Sequence, residues 1–279
     1  MSQVIIPAAG MGSRFYPYTK IIPKELLAFF NRPAIDYIID ECNAANHNDI
    51  IIIINEHKLL IKKYLTEIKQ QPCSYLYQSE PRGLGHAILQ AAQTITSPFF
   101  GISLPDDLIF DCPPVLGLMQ KLSNEHHASV IAVQEVAYSK VSSYGIIKPK
   151  YQLTDALFEV EQVIEKPAIE QAPSRYAIVG RYWLSHHIFD SLNSIAYGAH
   201  QELQLTDALK HMIQQGHKVL AFIVPGIRHD IGTPCGLVQA LVERSLHDKM
   251  LAPALYDTIL QSNYYLAQNT SHTQSSHSS

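Results

Sequence analysis

The chain reads as an α/β protein with a mixed, mostly parallel sheet flanked by helices. Three observations lead there. For about 130 residues, short apolar runs alternate with segments of helical periodicity, the pattern of βαβ units. The first apolar run ends in a small-residue loop with two glycines, Ala8-Ala9-Gly10-Met11-Gly12, as a strand-to-helix turn in such a sheet requires. Hydrophobic residues make up 47% of the 279 and charged residues 16%, enough apolar side chains for a sizeable core.

The elements follow in order. The run through Ile5 and Ile6 is a buried strand, and the glycine loop after it carries Arg14, Lys20 and Lys24. Bare N–H groups in such a loop, with fixed cations beyond it, suit a phosphate. Neither better-known phosphate motif is present. Phe15 stands where G-x-G-x-x-G needs glycine, and no G-K-[ST] follows at P-loop spacing. The plainer alternative is a turn whose glycines serve only its geometry.

Asn31-Arg32-Pro33 opens a helix, with Pro in the first turn and Ile35, Ile38, Ile39 and Cys42 on one face. Ile50–Ile54 is a strand, and Ile61, Tyr64, Leu65 and Ile68 mark a second helix. Ser74–Tyr77 is a short strand. Gly83-Leu84-Gly85 precedes a helix with Ile88, Ala91, Ala92 and Ile95, and the strand Phe99–Leu104 runs into Pro105-Asp106-Asp107. Ligands bind such sheets at the carboxyl ends of the strands. The Gly10 loop, the Gln78 to His86 segment and the Asp106 turn therefore line one crevice.

The second half is more mixed. Strands are expected over Ser129–Val136, 144–147, Phe158–Ile164, Tyr176–Tyr182 and Val219–Val224, with helices around Leu205–Met212 and Val238–Leu246. With no Gly-, Ser- or Pro-rich linker, residues 1–265 read as one domain whose later part adds a smaller sugar- or partner-binding lobe. Residues 266–279 are polar and of low complexity, and are expected to be disordered.

Composition excludes several function classes. The net charge is −4, from 21 basic and 25 acidic residues, which argues against nucleic acid or an anionic membrane surface as partner. No run approaches the roughly 18 apolar residues of a membrane span. The four cysteines are far apart and read as reduced thiols, and the N-terminus leads straight into a strand; a cytoplasmic protein is expected.

Four constellations carry chemistry. Asp106, at a strand's carboxyl end in a phosphate crevice, suits Mg²⁺, which takes one or two carboxylates and fills its shell with phosphate oxygens and water. A turn or helix-capping Asp is the alternative. Asp230, in His229-Asp230-Ile231-Gly232-Thr233, is a second metal carboxylate or the cap of the helix near Thr233. Gln78 has the donor and acceptor to read a pyrimidine edge, and Gly83 would let backbone approach a flat base; a surface Gln at a Gly-rich helix start is the alternative. Glu165 and Lys166 suit sugar hydroxyls and a sugar phosphate, or form an ordinary surface pair. Together the four describe nucleotidyl transfer. The second pKa of a phosphate monoester is about 6, so a sugar 1-phosphate needs neither a protein nucleophile nor a general base.

With these residues assembled, the sequence resembles the sugar-nucleotide pyrophosphorylases, and within them the bacterial UTP–glucose-1-phosphate uridylyltransferases. The resemblance spans roughly residues 3 to 250. It rests on Pro7 to Arg14, Thr19-Lys20-Ile21-Ile22-Pro23-Lys24-Glu25, Gly83-Leu84-Gly85-His86-Ala87, Leu104-Pro105-Asp106, Tyr144-Gly145, Glu165-Lys166-Pro167, Ala177 to Tyr182 and Glu202-Leu203-Gln204-Leu205-Thr206-Asp207-Ala208. It implies a Rossmann-like fold, a homodimer or homotetramer, and these roles. Ala8, Ala9, Gly10, Gln78 and Gly83 would hold uracil and ribose. Gly12 belongs to the triphosphate loop, and Arg14 and Lys24 would neutralise the triphosphate. Asp106 and Asp230 would bind Mg²⁺. Gly145, Glu165 and Gly180 would line the glucose site, with Lys166 on the sugar phosphate.

The chain departs from close relatives in places. Ile68 reaches Ser74 without a longer charged insert, Ser79 replaces a usual Gly, and Asp107 replaces a usual apolar residue. Two alternatives stand beside UTP and glucose 1-phosphate. One is another nucleotide, such as dTTP, or another sugar; the other is a non-catalytic regulatory paralogue. The latter would be expected to lose a metal carboxylate or a phosphate-binding lysine, yet Asp106, Asp230, Lys24 and Lys166 are all in place.

Overall fold

The computed structural model describes residues 2–198 and 201–262; the expected tail, 266–279, lies outside them. The chain runs β1 (Gln3–Pro7), β2 (Ala28–Phe29), β3 (Arg32–Pro33), α1 (Ala34–Ala44), β4 (Asp49–Ile54), α2 (Leu59–Lys63), β5 (Ser74–Tyr77), α3 (Leu84–Leu89), β6 (Phe99–Ser103) and β7 (Asp107–Phe110). It continues through α4 (Val115–His126), β8 (Ser129–Glu135), β9 (Gly145–Thr154), β10 (Leu157–Glu165), β11 (Tyr176–Ser185), α5 (His187–Ser194), α6 (Leu205–Gln214), β12 (Val219–Ile223), β13 (Ile227–Asp230) and α7 (Pro234–His247). Residues 251–262 are helical.

Nine strands form one sheet in the order β5-β4-β1-β6-β11-β8-β12-β10-β9. The strands of the first half, β5, β4, β1 and β6, are mutually parallel, as the alternation of strands and helices predicts. Beyond β6 the sheet is mixed. β11 enters antiparallel to both β6 and β8, and β8 and β12 are parallel. β9 and β10 form a long hairpin whose first strand returns to pair with β11 at Ala177 and Ile146. Five strands, β11, β8, β12, β10 and β9, are thereby closed on themselves at one end of the sheet.

Strand alternation explains the all-isoleucine run of β4. Ile50, Ile52 and Ile54 pack with α1 and α4 on one face, while Ile51 and Ile53 pack with α3, α5 and α6 on the other. A strand covered on both faces has no polar side. Helix boundaries moved where backbone chemistry dictated. Pro33 pairs with Ala28 in the small β2–β3 ladder, so α1 begins after it. α2 widens into a π turn over Tyr64–Ile68, which carries Ile68 off the buried face to 69% exposure. Helix α7 starts at Pro234, earlier than its apolar periodicity suggests, because Thr233 caps it: its hydroxyl accepts the Gly236 N–H at 3.0 Å.

Candidate active site

The carboxyl ends of the parallel strands β1, β4, β5 and β6 lie on one side of the sheet, where Ala8 to Gly12, Asn55, Gln78 and Asp106 follow them. At the end of β1, Ala8 and Ala9 are buried; Ala8 N–H donates to the Ile53 carbonyl at 2.7 Å, and Asn55 donates to the Ala9 carbonyl at 2.5 Å. An added Cβ at Gly10 would meet nothing within 4 Å, so the loop faces open space there. Gly12 needs its glycine for the backbone: φ is +65°, and Thr19 ties its carbonyl at 2.7 Å. Arg14 is exposed on the turn that follows, near enough for its charge to oppose that of Lys24.

Lys24 is hydrogen-bonded and ion-paired to Asp106. Burial disfavours both charges, yet their mutual attraction wins: the Asp106 carboxyl titrates below its ordinary range and the Lys24 ammonium above its own. Beneath them Glu25 and Lys58 form a buried pair at 2.7 and 2.8 Å. Burial lowers the Lys58 pKa despite the Glu25 charge.

Asp230 ends β13, opposite Asp107 on β7, and does not cap α7. The Ile231 N–H donates to the Asp106 carbonyl at 2.9 Å, which draws the two acidic turns together. A Cβ placed on Gly232 would sit 2.8 Å from Asp106 Oδ2 and 3.1 Å from Asp230 Oδ1. Two carboxylates thus converge on one small cradle that only a glycine leaves free. Among the described residues no group of three or more His, Cys, Asp or Glu is placed to hold a metal. Two carboxylates beside a phosphate loop fit Mg²⁺, which draws its remaining ligands from phosphate and water, better than a metal held by protein alone.

Gln78 is buried at the end of β5; its amide donates to the Gly83 carbonyl at 3.2 Å and lies 2.9 Å from His86 Nδ1. Gly83 has φ +93°, and a Cβ there would strike the Leu203 carbonyl at 2.8 Å. The close approach this glycine permits in the structure is therefore by the Leu203 backbone. Gly145 and Glu165 pair across β9 and β10, and a Cβ on Gly145 would lie 3.3 Å from Glu165 Oε2. Lys166 adopts a left-handed φ of 44°, unusual for lysine, with its ammonium 3.2 Å from Glu165. Burial and the Glu165 charge raise the pKa of neighbouring Asp207.

Gly180 lies where the β11–β8 register slips between Ile178 and Tyr182. Its N–H leaves the ladder and donates to Asp107 Oδ2 at 2.7 Å. Sequence reasoning missed this partner, and it missed Arg228, which donates to Asp107 Oδ1 at 2.6 Å. It also missed the Arg181–Glu41 pair beneath the site at 2.7 Å and the Glu25–Lys58 pair. One signal was available: Arg228 lies two residues before Asp230 on one strand, so both side chains share a face.

Residues 3–245 match the nucleotidyl transferase family. The chain belongs to that family. Among nucleotidyl transferases it is similar to the UTP–glucose-1-phosphate uridylyltransferase of Staphylococcus epidermidis, 36% identical over 284 residues, covering 94% of this chain and 98% of the relative. The same-named protein of Staphylococcus haemolyticus is 36% identical, with 91% and 96% covered. Solved nucleotidyl transferases share the architecture. A UDP-glucose pyrophosphorylase complexed with UDP-glucose superposes with a TM-score of 0.83 at 33% identity, covering 89% of this chain and all of that one. A UTP-bound UGPase from Acinetobacter baumannii gives 0.79 at 30%, with 93% and 99% covered.

Proposed function

We propose that this nucleotidyl transferase makes UDP-glucose and pyrophosphate from UTP and glucose 1-phosphate. The observation that carries the reading is the convergence of Asp106 and Asp230 on Gly232, with Lys24 and the glycine loop alongside. A phosphate oxygen of glucose 1-phosphate attacks the α-phosphorus of UTP. The new P–O bond forms as the bond to the β-phosphate oxygen breaks, and pyrophosphate leaves with that electron pair. No proton has to move, so positioning and charge neutralisation supply the catalysis. Arg14 and Lys24 face the triphosphate, Gln78 the base, and Glu165, Lys166, Gly145 and Gly180 the sugar phosphate. Asp106 and Asp230 would hold Mg²⁺, which would supply further neutralisation of the phosphate oxygens.

The free thiols of all four cysteines suit a reducing compartment, and we place the protein in the cytoplasm. No helix among the described residues is long and apolar enough to cross a membrane. Exposed Val238 on α7, Met250 in the turn after it, and Tyr256 and Leu260 on the next helix are apolar side chains suited to a second copy, in a homodimer or homotetramer.

Pyrophosphate release is the test, with UTP and dTTP each paired with glucose 1-phosphate and other hexose 1-phosphates, with and without Mg²⁺. UTP with glucose 1-phosphate is expected to give the highest kcat/KM. A preference for dTTP would move the reading to thymidylyl transfer, and no turnover with any pair would sink it.

A further inference from the structure

Asp107 is the carboxylate next to the metal-binding position, and it points the other way, into the protein. It is 4% exposed, and both its oxygens are used: Oδ2 accepts the Gly180 N–H at 2.7 Å and Oδ1 accepts Arg228 Nε at 2.6 Å. The Arg228 side chain is 8% exposed and spreads its remaining donors. Nη2 lies 3.5 Å from Asp230 Oδ2, and Nη1 donates to the Tyr144 hydroxyl at 3.4 Å, with the guanidinium 5.3 Å from that ring's centre. The Tyr144 carbonyl in turn accepts the Lys166 N–H at 3.0 Å.

One ion pair therefore touches four of the segments around the sugar and metal groups, while β10, with Glu165, is reached only through the Tyr144 carbonyl that accepts the Lys166 N–H. It meets β7 just after Asp106, β13 through Asp230, β11 at Gly180, and the Tyr144–Gly145 turn. It touches neither the Ala8–Gly12 loop nor Gln78 and Gly83. We infer that Asp107 and Arg228 form a positioning pair that sets the sugar-phosphate half of the site against the metal carboxylates, leaving the nucleotide half untouched. The inference rests on the uridylyl-transfer reading. The fork of arginine suits this task because it serves three acceptors in fixed geometry, which an ammonium cannot.

The test separates positioning from stability. A buried pair replaced by apolar side chains of similar volume is often neutral or stabilising, so Asp107→Leu/Arg228→Met is expected to keep its melting temperature. Misplacing reacting groups by about 1 Å costs up to about a hundredfold. The double variant is therefore expected to raise KM for glucose 1-phosphate and to weaken metal-free binding of UDP-glucose in calorimetry, each about tenfold. UTP binding is expected to stay within about twofold of the parent. A double variant with parental UDP-glucose affinity and sugar KM, or one that loses UTP and UDP-glucose binding equally, overturns the inference. If the double variant does not fold, Asp107→Asn decides, since it keeps an acceptor for Gly180 and gives up the charge facing Arg228. A raised sugar KM at parental UTP KM supports the pair, and parental values of both overturn it. A parent enzyme that neither turns over nor binds UDP-glucose overthrows the uridylyl reading itself, and this inference with it.

Discussion

The ammonium of Lys24 is bonded to the carboxylate of Asp106, a residue 82 positions further along the chain. The contact joins the segment after the glycine loop to the turn after β6, so each side chain is held in place by the other. Lys24→Met and Asp106→Asn are each expected to lower kcat by about 10²–10³-fold, with far-UV circular dichroism unchanged.

The same pair has a definite pH signature. The folded pKa of Asp106 lies below its ordinary 3.8, so its stabilisation is complete above that value and is lost as pH falls through the folded pKa. The folded pKa of Lys24 lies above its ordinary 10.5, so its stabilisation is complete below that value and is lost as pH rises through the folded pKa. Thermal melts across alkaline pH are expected to show Lys24→Met with a smaller loss than the parent.

Two glycines in the site separate space from function. A Cβ on Gly180 would come within 2.6 Å of the Asp107 Cβ and 2.9 Å of the Leu104 Cβ. Gly180→Ala is expected to cost about 1–3 kcal/mol in urea unfolding. Gly10→Ala meets nothing and is expected to shift stability by no more than about 0.5 kcal/mol, while raising the KM for UTP.

Arg181 is fully buried against Glu41, with Nε and Nη2 donating to its oxygens at 2.7 to 3.1 Å. Removing one member leaves an uncompensated charge. Arg181→Met is expected to destabilise the fold by about 3–5 kcal/mol in chemical denaturation.

His47 is buried, its ring 4.9 Å from that of Trp183. Burial lowers its pKa below the ordinary 6.5. The unfolded chain takes up a proton there that the folded chain refuses, so stability falls as pH drops from 6.5 towards the folded pKa. Between about pH 7 and about pH 5, His47→Phe is expected to lose less melting temperature than the parent. An equal loss in both proteins would assign the acid sensitivity elsewhere.

Legibility followed the range of the interactions. Ile50–Ile54 announces a doubly covered strand because its pattern is local, and the glycine loop reads as an anion site for the same reason. The β7–β13 ladder was invisible. Each strand has four residues, each mixes charged and apolar side chains, and their pairing joins distant parts of the chain. That ladder removes the helix-cap reading of Asp230, since it puts the residue opposite Asp107 and leaves Thr233 to cap α7. Glu41 with Arg181, Glu25 with Lys58, and Asp107 with Arg228 are each indistinguishable in sequence from surface charges. A charge becomes buried only by virtue of a partner far away in the chain.

The late position of β13 bears on how the protein is made. All nine strands of the main sheet precede it, so a growing chain can assemble that sheet, present its glycine loop and expose Asp106 while Asp230 is still unsynthesised. A ribosome-bound or truncated product ending before Ile227 would then carry Asp106 without Asp230 or the β7–β13 ladder. On the proposed reading, a copy that stops short of Asp230 is expected to be inactive even with its main sheet complete.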